Sequence, residues 1–108
     1  MEKNCWPFMK IDCNADMRES TIERHLINRV TSLGGLAYKW VSPAHRGVPD
    51  RLVFLPGGVV FAVECKAPGK GLSPLQHYTR ERLMALGFRV FVAASKQDVE
   101  QILRVAEK

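Results

Sequence analysis

A chain of 108 residues, 46% hydrophobic and 25% charged, has the make-up of one globular domain and excludes a disordered chain. Its net charge of +5, from 16 Lys and Arg against 11 Asp and Glu, favours an anionic partner such as nucleic acid. No apolar run approaches the roughly 20 residues of a membrane span, and the three cysteines lack the spacing of a zinc site or a disulfide framework.

Residues 1–15 read as a lead-in, with Trp6, Phe8 and Ile11 as candidates to dock on the body, and 16–108 as a single domain. The chain's opening lacks the basic start and long apolar stretch expected of a signal peptide. From Met17 to Leu33, Ile22, Leu26, Val30 and Leu33 recur at helical spacing. Asp16, three residues before Glu19, resembles an N-terminal cap, and Gly34-Gly35 stops the helix. "LAYKWV", 36–41, alternates as a strand, and "SPAHRGVP", 42–49, is rich in turn formers. Two apolar strands near 50–55 and 59–65 flank Pro56-Gly57-Gly58 as a hairpin. Ser73-Pro74 opens a second helix, with Ser as cap and Pro in first position, which runs to Gly87. "FRVFVAA", 88–94, predicts a strand, and Ser95 to Asp98 cap a last helix to about Ala106. The order α-β-β-β-α-β-α predicts an α/β fold, a mixed β-sheet flanked by helices.

The hairpin carries the chemistry. If Gly57 centres the turn, residues equidistant from it face one another, and Asp50 meets Glu64. Their Cβ atoms would lie about 4.5–5.5 Å apart. A two-residue turn would shift the pairing by one and put Asp50 opposite Cys65 instead. Facing carboxylates repel unless a cation lies between them, and oxygen ligands suit Mg2+, with Mn2+ able to substitute. Lys66 shares a face with Glu64, beside the acids, placed to orient water or stabilise developing charge. Cys65 points into the core, with its backbone carbonyl near the metal. Around these acids lie Ser42, Arg46, Arg51 and Lys70, a set able to grip phosphates. His45 joins no Ser-His-acid or Cys-His arrangement, and "APGKGLSP" lacks P-loop spacing. Trp40 and Phe88, on expected strands, are assigned to the core.

Pro49-Asp50, thirteen residues, then Glu64-x-Lys66 resembles the PD-(D/E)XK nuclease superfamily and its restriction-endonuclease-like core. The segments "IERHL", "GGLAYKWVSPAHRGVPDRLVFLPGG", "VECKAPGKGLSPLQ" and "LGFRVFVAASK" are similar to the stand-alone virus-type replication-repair nuclease (VRR-NUC) domains. By that resemblance Asp50 and Glu64, with the Cys65 carbonyl, hold the metal, and Lys66 is the active-site lysine. The resemblance also implies a first-helix glutamate, Glu23 with Glu19 as competitor, and a catalytic glutamine, Gln76. It implies a Mg2+-dependent endonuclease that leaves a 5′-phosphate on branched DNA, four-way junctions foremost; one site per chain against the two nicks of a symmetric junction then predicts a homodimer. The expected compartment is the cytoplasm, a bacterial host's if the gene is phage-borne. The alternatives are a non-catalytic DNA-binding protein on the same fold, or a flap, fork or sequence-specific nuclease.

Overall fold

The computed structural model describes residues 18–107. The first helix, α1, spans Glu19–Ser32, with Arg18 at the cap position and no side-chain cap; Asp16 lies outside the described residues, as do Trp6, Phe8 and Ile11. Strands β1 (Leu36–Lys39), β2 (Arg51–Leu55) and β3 (Val59–Cys65) follow, then α2 (Pro74–Ala85), β4 (Val90–Ala93) and α3 (Lys96–Ala106). The sheet order is β1-β2-β3-β4, antiparallel across the first two junctions and parallel between β3 and β4. The parallel pairing follows from the crossover through α2.

Glycine sets the hairpin. Gly57 and Gly58 adopt φ of 88° and 79°, a region closed to most side chains, so the chain reverses there and nowhere else nearby. Leu55 pairs with Val59, Val53 with Phe61 and Arg51 with Val63, the Gly57-centred register expected from sequence. Carried one step beyond the ladder, it sets Asp50 against Glu64. Alternation along β3 then sends Phe61, Val63 and Cys65 to one face and Ala62 and Glu64 to the other.

The first face holds the core. Ile22, Leu26 and Val30 of α1 and Val99, Ile102, Leu103 and Ala106 of α3 close over Val53, Leu55, Phe61, Val63 and Cys65. Leu26, Phe61 and Val63 have no exposed surface, and each such side chain stabilises the fold by about 1.5–3 kcal/mol. A polar link ties the two helices at their rims: Glu100 accepts 2.9 Å hydrogen bonds from Arg29 Nε and from His25. The Arg29 guanidinium, with His25, holds the Glu100 carboxyl below its usual range. The second face is covered in part by α2, which has no fully buried residue and is held to β4 by Arg80 Nε donating to the Val90 carbonyl at 3.1 Å.

Two expected strands are shorter than the sequence pattern. β1 ends at Lys39, although Trp40 N–H still donates to the Asp50 carbonyl at 2.9 Å, because the chain then turns into the Pro43 loop. β4 begins only at Val90. Trp40 and Phe88 therefore lie outside the strands and outside the core, half-buried and packed edge to face at 6.5 Å. Both belong to the α2 side of the sheet, where one helix cannot cover all the strands.

Candidate active site at the hairpin mouth

Glu64 is the one buried charged residue among the described residues, at 4% exposure. It lies on a strand buried on both faces, where a solvent-facing acid would have no reason to be. Burial, then the neighbouring Asp50 charge, pushes its carboxyl up to about 7, against the pull of Lys66. Asp50 sits at the end of β2, its carboxylate raised above the ordinary range chiefly by burial. Its Oδ2 accepts a 2.9 Å hydrogen bond from Cys65 N–H, which fixes it across the mouth of the hairpin. The Cys65 carbonyl leaves the strand on the same edge as that N–H, so it opens toward Asp50. The Cys65 side chain points into the core, and burial pushes its thiol up to about 12, which leaves it inert as a nucleophile.

Lys66 Nζ lies 3.7 Å from Glu64 Oε2, on the same face as expected from their spacing. Gln76 Nε2 donates to that same oxygen at 2.7 Å. The amide is aimed by the helix cap. Ser73 N–H donates to Gln76 Oε1 at 2.9 Å, and Gln76 N–H donates to Ser73 Oγ at 3.2 Å, a complete capping box. With Oε1 so engaged, only the NH2 end can face Glu64. Both donors gather on one Glu64 oxygen, and Asp50 is held by one of its own.

α1 brings two further acids. Glu23 sits near Asp50 and Glu19 near Glu64, each raising the acid it faces. Glu23 is engaged: Arg51 Nε donates to its Oε2 at 2.6 Å, and Arg51 also donates to the Ala37 carbonyl at 3.2 Å. Arg51, grouped by sequence with the phosphate contacts, thus spends its guanidinium inside the acid cluster. Glu19 is exposed. Ser42 and Arg46 line a groove between α2 and the loop that leads to Asp50, and Lys70 lies exposed in the loop after β3. The Glu23–Arg51 pair joins α1 to the hairpin across the fold, and no local sequence pattern encodes it. That groove was also missed. Its one signal is Gly47, at φ 87°, where an added Cβ would stand 2.9 Å from Leu75 Cγ, Leu75 O and Thr79 Oγ1.

Among the described residues no group of three or more His, Cys, Asp or Glu side chains is arranged to hold a metal ion. Two carboxylates and a carbonyl nevertheless fit Mg2+, which keeps several waters and is commonly held by one or two carboxylates. All three are hard oxygen donors, and the facing acids leave a local excess of negative charge that Lys66 offsets only in part.

Over 87 residues the chain is 54% identical to the protein named "Putative nuclease p44" of Acyrthosiphon pisum secondary endosymbiont phage 1, an overlap of 81% of this chain and 92% of that one. A solved structure described as "VRR_NUC domain" matches with a TM-score of 0.75 and 33% identity, over 80% of this chain and 94% of that chain. No protein-family model matches the chain. The mixed four-stranded sheet, its flanking helices and nearly full-length agreement with both relatives place the chain in the VRR-NUC family, on a PD-(D/E)XK-like fold.

Proposed function

We propose that the chain is a Mg2+-dependent endodeoxyribonuclease acting on branched DNA, with four-way junctions as the leading substrate and Mn2+ able to replace Mg2+. The observation that carries it is Glu64, the one buried charged side chain among the described residues, set against Asp50 with Lys66 and Gln76 gathered on it. A fold gains nothing in stability from such a group, so its retention argues for chemistry. The phage relative is named as a nuclease, which points the same way.

Asp50, Glu64 and the Cys65 carbonyl would hold the ion. When bound, Mg2+ supplies an activated water and positive charge for the phosphate being cleaved. The protein's own residues do the rest. Gln76 and Lys66 hold Glu64 in one orientation. Lys66 orients the attacking water or stabilises the charge that develops on the phosphate. Glu23, neutralised by Arg51, sets the position of the hairpin against α1, and Glu19 faces the open side. The net positive charge draws the DNA in. Ser42, Arg46 and Lys70 supply phosphate contacts.

Each chain carries one such site, and resolving a symmetric junction takes two nicks, so the functional unit is a homodimer whose two-fold axis matches the DNA. Phe91 packs against the core, with its ring centre 5.4 Å from that of Phe61, and offers little to an interface, whereas Leu86 is 84% exposed. Cleavage of linear, flap, fork and four-way DNA in Mg2+ and in EDTA, with light scattering on the same sample, tests the reading. The expected result is metal-dependent paired nicking of the four-way junction by a dimer. A monomer that nicks one strand, or one that prefers flaps, overturns the junction assignment.

A further inference from the structure

Resting on the nuclease reading above, we propose that the groove lined by Ser42 and Arg46 seats an unpaired nucleotide of the strand being cut. The groove runs between α2 and the loop 40–48 and has a volume of about 510 Å3, within the usual size of ligand sites. Trp40, Leu75, Tyr78 and Leu86 give it apolar and aromatic walls, and Arg46 and Arg82 give it positive charge. Among the described residues no carboxylate lines it.

The groove is built into the fold. Gly47 lies so close to α2 that any side chain there would strike Leu75 and Thr79. The Arg82 guanidinium lies 5.4 Å from the Tyr78 ring centre and donates to its hydroxyl at 3.1 Å, which fixes the ring against its own helix. Yet Tyr78 is 56% exposed, so its apolar surface is open to a ligand.

The elements that wall the groove also carry the site residues. Leu75 in its wall is followed by Gln76, whose amide holds Glu64, and the loop that forms its other wall runs directly into Asp50. A strand whose phosphate reaches the acids can extend from them into this groove.

The walls decide which form of DNA fits. A duplex presents sugars and phosphates and keeps its base faces stacked, so it has nothing to offer an apolar wall. An unpaired nucleotide offers a base to the aromatic rings and a phosphate to the arginines. Branch points, forks and flaps supply such nucleotides, and linear duplex does not.

Binding of oligothymidylate and of a blunt duplex of equal length to the whole chain in EDTA tests this. Trp6→Phe leaves Trp40 as the sole tryptophan reporter. Oligothymidylate is expected to quench Trp40 fluorescence. Tyr78→Ala, at an exposed position, should lower the ratio of single-strand to duplex affinity by about 5- to 100-fold, the range of one lost base stack. Arg82→Gln should lower the same ratio in the same direction. An unquenched Trp40, or equal loss for both DNAs, overturns the assignment. So does a fall in mass by light scattering on Tyr78→Ala, which would make this face a contact between copies. Cleavage in Mg2+ separates the two readings. Cleavage that persists without single-strand selectivity removes the groove alone, whereas a wild type inert on every DNA removes the nuclease reading, and oligothymidylate binding still decides the groove.

Discussion

At the scale of single residues, the acids work against the fold. The Glu64 carboxyl titrates near 7 in the folded protein and near 4.5 when unfolded, so the folded state prefers it protonated. Below pH 4.5 it has no cost. Between 4.5 and 7 the cost grows, and above 7 it levels at about 3 kcal/mol, since a tenfold change in proton affinity corresponds to about 1.4 kcal/mol. Glu64→Gln in EDTA should therefore be more stable than wild type at pH 8, by roughly 2–3 kcal/mol, with the gap closing at pH 4.5. Urea denaturation at both pH values measures it, and an equal gap at both would remove burial of the charge as its cause. Lys66 acts differently, because it touches Glu64 without ligating a cation. Lys66→Ala should lower turnover by two or more orders of magnitude while metal affinity changes far less, on the order of general acid–base contributions. A metal titration beside a single-turnover rate separates the two effects.

Among the elements, those ruled by local chemistry were legible in the sequence. The hairpin register followed from Gly57, since two consecutive residues at positive φ leave the chain one place to reverse. Helices α2 and α3 began where Ser73 and Ser95 cap them. Asp50, Glu64 and Lys66 were legible at the hairpin mouth from the turn and strand alternation, whereas Gln76 came only from the family resemblance, and its aim at Glu64 depends on the cap of α2. What depends on distant packing was not legible. Trp40 lost its strand to the departing loop, Arg51 turned inward to Glu23, and α2 kept an apolar flank open to solvent. The cap of α2 has a double role, since Ser73 both starts the helix and aims Gln76 at Glu64. Ser73→Ala should cost about 1 kcal/mol of stability, as a lost N-cap does. It should also lower turnover several-fold, whereas Ser95→Ala at the start of α3 should cost the same stability with no change in rate. Thermal melts and initial rates on the two variants show whether the cap matters to the site.

For the whole molecule, one face of the sheet is devoted to stability and the other to chemistry. α1 and α3 close the core on the first. On the second, β3 carries a buried acid toward a helix that covers the sheet only in part and leaves a groove along its flank. The division explains how a small domain tolerates a charge in its central strand: the cost is confined to the mouth of one hairpin, and the core behind it is wholly apolar. Single-turnover cleavage by Asp50→Asn in saturating Mg2+ tests the carboxylate centre most directly. Loss of cleavage with DNA binding retained or tightened is the expected result, because the variant lacks a ligand yet repels phosphate less. Turnover near that of wild type, or wild-type cleavage that persists in EDTA, would contradict it.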